Sequence, residues 1–383
     1  MTNFDQAIDR RHTNSFKWDR YSDTNVIPVW VADMDFQAAP PILSALDKIT
    51  QHGVFGYSRC PDELYQVVID RLQNRHNWTI KKEWLVFLPG LVPAIGLACR
   101  FVGQANDGVI MTTPVYHPFM HETTAAKRQL QKVPMVLVDN RWTVDFKVFE
   151  QTITPQTKIF LLCNPHNPGG TVFTKDELQQ FADICLKHNV LICSDEIHCD
   201  LILDDSKPHI SIATLGPEVE QNSITLLSPS KTFNIAGLGC SFAVIPNDEL
   251  RAKFIQEKAG LMPMIPPYSF EAALAAYRDG DQWHRDLLDY LKSNHDYLLT
   301  EINNLKGLSM QPLEGTYLAW IDARKAGFDD YVARLEAAGV GVSPGKMFDG
   351  DGFFRLNFAC TKATLIVVVE RIKTVFGSKN NYI

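Results

Sequence analysis

The chain has no excess of basic residues: 37 Lys plus Arg stand against 44 Asp plus Glu in 383 residues, a net charge of −7. Binding to a phosphate backbone needs the opposite balance, so no nucleic-acid partner is expected. Long apolar runs are missing too. Runs such as Ile159–Cys163 and Leu365–Val369 are far too short to span a bilayer, so no membrane partner is expected. The eight cysteines form no Cys-x-x-Cys pair, and Cys163, Cys185 and Cys193 sit inside apolar runs. They read as reduced core thiols, not as a disulfide framework. Met1 to Arg11 is polar and charged, without the apolar core of a signal peptide, so a cytoplasmic location is the expectation. There is no internal repeat, no low-complexity tract and no Gly/Ser linker.

What is present is ordinary for a globular protein, with 45% hydrophobic and 21% charged residues. The length suggests two or three domains and a sizeable core. Short apolar runs of β-formers recur at Trp84–Leu88, Val109–Thr112, Val133–Val138, Lys158–Cys163, Val190–Ser194, Ile224–Leu227 and Phe242–Ile245. Their near-continuous apolarity predicts strands buried on both faces. Helical stretches separate many of them, the clearest opening with a Thr174/Glu177 capping box. This alternation predicts an α/β domain with a mainly parallel sheet flanked by helices. From Trp283 to Leu305 apolar residues recur at helical spacing, giving one long amphipathic helix. Short strands at Thr316–Ile321 and Phe353–Phe358 follow, with helices near 328–338 and 362–374, the pattern of a smaller α+β domain. The expected division is an N-terminal segment (1–45) on the small domain, a large domain (46–282) and a small C-terminal domain (283–383).

Ligands of open α/β sheets bind beyond the carboxyl ends of the strands, so the residues after each run matter most. After Leu88 comes Pro89-Gly90-Leu91-Val92-Pro93, a turn whose helix N-terminus suits a phosphate. After Cys163 comes Asn164-Pro165-His166-Asn167-Pro168-Gly169-Gly170, a dense string of turn residues. Asp195-Glu196-Ile197-His198 follows Ser194, and a carboxylate there needs either a helix to cap or a cationic ligand. Ser228-Pro229-Ser230-Lys231 follows Leu227, placing a lysine for a lowered pKa and Schiff-base chemistry. Together the four signals ask for one ligand with a phosphate, an aldehyde and a protonatable ring nitrogen. Pyridoxal 5′-phosphate (PLP) has all three.

The strings Asn-Pro-x-Asn-Pro-x-Gly, Asp-x-x-His and Ser-x-Ser-Lys, in this order and spacing, resemble the PLP fold-type I superfamily that includes class I/II aminotransferases. Trp30-Val31-Ala32-Asp33-Met34-Asp35-Phe36, Pro114-Val115-Tyr116-His117-Pro118-Phe119, Gly315-Thr316-Tyr317-Leu318-Ala319-Trp320 and Arg355-Leu356-Asn357-Phe358-Ala359 are most similar to its cystathionine β-lyase/C–S lyase branch. The resemblance implies Lys231 as the Schiff-base lysine and proton-abstracting base. It implies Asp195 as partner of the pyridinium nitrogen, and Asn167 and His198 at the ring hydroxyl. Gly90, Leu91, Val92, Ser228 and Ser230 would hold the phosphate, with Tyr57 reaching it from a second subunit of a homodimer. Tyr116 would stack on the ring, and Arg355 would clamp the substrate carboxylate, with Asp33 also at the substrate site.

Two positions depart from the aminotransferases. His198 stands where they usually carry Tyr, and Gly239 where they usually carry a phosphate-binding Arg; both departures match the lyase branch. The expected activity is β-elimination of L-cystathionine or a related L-cysteine S-conjugate to thiol, pyruvate and ammonia. An aminotransferase is the alternative, and a PLP-binding regulatory interaction protein is another. No metal site is expected, since His117 and His121 have no third ligand placed near them. Asp33 and Asp35 read either as a general-acid dyad or as part of a loop shaping the substrate entrance. Met262–Pro267 reads either as reaching the partner's site or as a connection.

Overall fold

The computed structural model describes residues 2–377. In chain order its strands are β1 (Ile27–Pro28), β2 (Leu85–Leu88), β3 (Gly108–Thr113), β4 (Gln129–Val138), β5 (Arg141–Val144), β6 (Thr157–Cys163) and β7 (Leu191–Asp195). Then follow β8 (Ser223–Leu227), β9 (Ser241–Val244), β10 (Ser309–Met310), β11 (Leu318–Asp322), β12 (Val340–Gly341), β13 (Ser343–Pro344) and β14 (Phe353–Asn357). Eight of them form one sheet in the order β2-β9-β8-β7-β6-β3-β4-β5. The pairs from β8 through β7, β6 and β3 to β4 are parallel, while β9 runs antiparallel to both neighbours and β5 antiparallel to β4. The fold is the expected α/β class.

The apolar runs become strands because helices cover both faces of the sheet. In β6, Ile159, Leu161 and Cys163 enter one core beneath the helices Leu91–Phe101 and Asp248–Lys258. The alternate residues Phe160 and Leu162 enter a second core under Lys175–Lys187. This period-2 split requires every residue of the run to be apolar. Helix Lys175–Lys187 does start at Thr174, with both halves of the capping box present.

The amphipathic stretch from Trp283 forms the helix Asp281–Asn303, burying Trp283, Leu287, Leu291, Leu298 and Ile302. It packs on a four-stranded antiparallel sheet, β10-β11-β14-β13. The edge strand β5 was not foreseen. Its sequence, Arg-Trp-Thr-Val, has no apolar run, and it is joined to β4 by Asp139 and Asn140, whose φ values of +48° and +62° make the tight hairpin. The N-terminal segment reaches the small sheet's side of the molecule. β1 pairs in parallel with β12, and Asn357 Nδ2 donates to the Val31 carbonyl at 2.7 Å. All eight cysteines are free, seven of them buried. No helix among the described residues is long and apolar enough to cross a membrane.

Candidate active site

The carboxyl ends of β2, β6, β7 and β8 carry the four strings singled out above, and β14 brings in Arg355. Lys231 leaves β8 on the loop Ser228–Asn234. That loop is tied to residues 34–36 by Asn234, which accepts from Met34 N at 2.9 Å and donates to the carbonyls of Met34 and Phe36. The Lys231 amine donates to the Ala32 carbonyl at 2.6 Å. Removal from water lowers its pKa to about 8, against the attraction of Asp33 and Asp195. Its basic form is thereby populated near neutrality far more than that of an ordinary lysine.

Asp195 is the last residue of β7 and is 6% exposed. Its carboxylate accepts one backbone N–H, that of Ile197, at 3.1 Å. Burial raises its pKa to about 7, helped by the neighbouring Glu196. A buried acid this poorly compensated suits a cationic partner. The next acid, Glu196, is satisfied by Ser194, Ser211 and His209 at 2.9–3.0 Å. His198 is buried, its Nδ1 has no partner among the described residues, and burial holds its pKa down to about 3. It is a neutral imidazole at any physiological pH.

Arg355 projects from β14, 4% exposed. It donates to Asn167 Oδ1 at 3.1 Å and to the Trp30 carbonyl at 3.0 Å, and its guanidinium lies 4.6 Å from the Phe348 ring centroid. Its Nε is buried without a partner, and no carboxylate pairs with it among the described residues. Burial accordingly lowers its pKa to about 10. A plain structural salt bridge is therefore not what this arginine makes. Tyr116 closes the group: its N–H donates to the Asn167 carbonyl at 3.0 Å, and its phenol feels both Arg355 and Asp195.

At the other end, helix Leu91–Phe101 starts at Gly90 with no side chain capping it, leaving the N–H groups of Leu91 and Val92 at its positive end. The Ser228 hydroxyl donates to the Cys240 carbonyl at 2.8 Å and accepts from Ser230 N at 3.1 Å, so it shapes the turn before Lys231. Gly239 has φ +57°, and a Cβ there would lie 3.0 Å from the Pro89 carbonyl oxygen. An arginine at this position would strain the backbone and press on the Gly90 turn, which accounts for the glycine.

Two candidates make no side-chain hydrogen bond to these groups among the described residues, although Asp33 lies close enough to attract the Lys231 amine. Tyr57 is 96% exposed and meets none of these groups within its own chain. The Asp33 carboxylate is gripped by Arg10 at 2.7 Å, with Lys17 3.5 Å away. Asp35 is held by Arg10, Lys17 and the Trp18 indole N–H at 2.7–2.8 Å. Both aspartates are thus salt-bridged carboxylates in an N-terminal network. What the loop offers the site is backbone: the carbonyls of Trp30 and Ala32. His121 pairs with Glu122 at 3.1 Å.

A model of the family described as aminotransferase class I and II matches residues 25–372. The chain belongs to this family. Within the class I and II aminotransferases it falls in the PLP fold-type I C–S lyase branch. The cystathionine β-lyase PatB of Bacillus subtilis (strain 168) is 36% identical over 98% of this chain and 100% of its own length. The crystal structure of OvoB is 44% identical, covers 100% of both chains and has a TM-score of 0.96. Cystalysin from Treponema denticola, which contains PLP, is 32% identical over 98% of both chains with a TM-score of 0.93. PLP is this family's cofactor, and the residues present fit it. Among the described residues no cationic side chain forms an ion pair with Asp195 and His198 Nδ1 has no partner, while the helix start at Gly90 has no side-chain cap and the Lys231 amine lies within reach of Asp195's field.

Proposed function

We propose that this chain is a PLP-dependent carbon–sulfur β-lyase that eliminates the thiol from L-cystathionine or a related L-cysteine S-conjugate, the remaining three-carbon fragment being hydrolysed by one water to pyruvate and ammonia. The observation that carries the reading is the pairing of a buried arginine without an acid, Arg355, with a lysine of lowered pKa, Lys231, in one site. When bound, PLP supplies an aldehyde for the substrate amine and an electron sink for the charge that develops at Cα.

In this reading Arg355 grips the substrate α-carboxylate as a fork, its plane set by Asn167, the Trp30 carbonyl and the Phe348 ring. Lys231, which would hold the cofactor in the resting enzyme, would take the Cα proton as a neutral amine. Asp195 would hold the positive charge of the ring nitrogen. The Cβ–S bond then breaks with its electron pair on sulfur, and a thiolate leaves readily, so positioning does most of the work. Release of free thiol from L-cystathionine by the PLP-loaded enzyme tests the reading. No thiol from this or any other S-substituted L-cysteine would overturn it.

A second copy completes the reading. Val54, Phe55 and Tyr57 are exposed, as are Leu261 and Met264, and Ser58 ties the two segments together by donating to the Ile265 carbonyl at 2.9 Å. We infer a two-fold homodimer that covers this patch and carries Tyr57 to the partner's phosphate site. The division into 1–45, 46–282 and 283–383 accompanies it, supported by the pairing of β1 with β12. A cytoplasmic enzyme is in keeping with eight free thiols.

The state of Asp195 gives a pH dependence with a definite sign. Without a cation, burial favours the neutral acid, raising the folded-state pKa to about 7. The stability this group contributes is full below the ordinary carboxylate range and is lost as pH rises through about 7. A pyridinium partner removes that loss. The rise in melting temperature on adding PLP is therefore expected to grow between about pH 5 and about pH 8, and to do so far less in Asp195→Asn. Thermal melts with and without PLP across that range check it.

A further inference from the structure

Two hydrogen bonds meet on one backbone oxygen in the site. The Ala32 carbonyl accepts from the Lys231 amine at 2.6 Å and from the Tyr317 hydroxyl at 3.0 Å. Both lone pairs of that oxygen are thereby used. The oxygen itself is held from all sides. Asn357 donates to the flanking carbonyls of Val31 and Asp33, Ser343 and Arg355 both donate to the Trp30 carbonyl, and Arg10 and Lys17 anchor Asp33.

Tyr317 is fully buried, its ring edge-on to His198 with centroids 6.1 Å apart. The residue that delivers it is strained. Thr316 has φ +73°, a left-handed conformation that a β-branched residue rarely takes. It is pinned there by its N–H donating to the Leu201 carbonyl at 2.8 Å and by its hydroxyl accepting from Leu318 N at 3.3 Å. Strain of this kind persists where the surroundings over-determine it, and it clusters at functional sites. Here it turns the chain at the start of β11 so that a phenol enters the site.

We propose that the Ala32 carbonyl and the Tyr317 hydroxyl form a seat that orients the Lys231 amine for proton abstraction at the substrate Cα. The proposal rests on the lyase reading for the identity of the proton, but the seat itself is a property of the free amine. One N–H of the amine is committed to Ala32, which restricts its lone pair to the two remaining staggered positions about the Cε–Nζ bond. Tyr317 touches Ala32 and not the reacting atoms, so it is a positioning residue. By sharing the oxygen it also weakens the carbonyl's hold on the ammonium form and so favours the neutral base. The other charged groups facing the amine are Asp33, Asp195 and Arg355, with His198 close by as a neutral ring.

Tyr317→Phe keeps the buried ring and removes only the hydroxyl. In the cofactor-free chain, the pH dependence of Lys231 acetylation by acetic anhydride, mapped by mass spectrometry, is expected to move up by roughly 0.5–1 pH unit. In the PLP-loaded enzyme, kcat is expected to fall roughly tenfold with KM unchanged, since the base is misplaced and the carboxylate clamp is not. Thr316→Gly, which frees the turn but retains the Tyr317 hydroxyl, is expected to shift the acetylation curve in the same direction by less. Acetylation curves that superimpose on wild type in both variants would overturn the seat. A shifted curve with no thiol release from wild type or variant would leave the seat standing and remove the lyase reading.

Discussion

Lys231→Ala is expected to lose turnover by about 10⁴-fold or more and to lose the visible absorbance of lysine-bound cofactor. The reason is that no other group can take over its place. The amine of Lys231 lies at the end of β8 with Asp33, Asp195 and Arg355 as its charged neighbours, and none of these is an amine. Arg355 faces the amine, and Arg10 and Lys17 bind Asp33, but the two guanidinium groups are always charged and Lys17 is locked on Asp35 at 2.8 Å. Alanine also removes the donor on Ala32, which then keeps Tyr317 as partner. The variant should therefore remain folded and bind PLP non-covalently. Absorbance spectra and steady-state rates check both halves, and ordinary turnover in this variant would remove Lys231 from the chemistry.

Arg355→Ala has the second-largest expected effect, and it falls on binding. A buried charge clamp lost from one side costs about 2–4 kcal/mol, a rise in KM of roughly 30- to 1,000-fold. Arg355→Lys is expected to recover only part of this. A lysine cannot present the fork that meets a carboxylate while also donating to Asn167 and to the Trp30 carbonyl. Because the guanidinium has no carboxylate partner among the described residues, its removal breaks no ion pair of the fold. Its stability cost should be that of packing on Phe348 and two hydrogen bonds to neutral oxygens. An unchanged KM would take Arg355 out of the substrate site.

Much of this is legible in the sequence, for a physical reason. Strands buried on both faces must be apolar throughout, so they mark themselves, and the polar residues that end them stand out by contrast. Asn164–Gly170, Asp195–His198 and Ser228–Lys231 are all such endings. The edge strand β5 was missed because an edge residue such as Arg141 is free to carry charge, and here it binds Glu177 and Glu314 at 2.7 Å. The roles of Asp33 and Asp35 were ambiguous because their partners, Arg10 and Lys17, sit in a polar stretch that reads as solvated surface. Yet Lys17 is 1% exposed. Least legible was the Ala32 carbonyl, since every residue has one. Its importance comes only from the left-handed turn at Thr316 and the loop anchors at Asn234 and Asn357, which no local pattern announces. Tyr317 was quoted for its resemblance alone, and its contact with Ala32 is a product of the fold.

The central claim is that this constellation performs elimination and not amino-group transfer. The measurement that tests it most directly is pyruvate formation from L-cystathionine by the PLP-loaded enzyme with no keto acid added. Sustained release over many turnovers, with one thiol per pyruvate, is the predicted result. Turnover that begins only when a keto acid acceptor is supplied would contradict it and make the chain an aminotransferase.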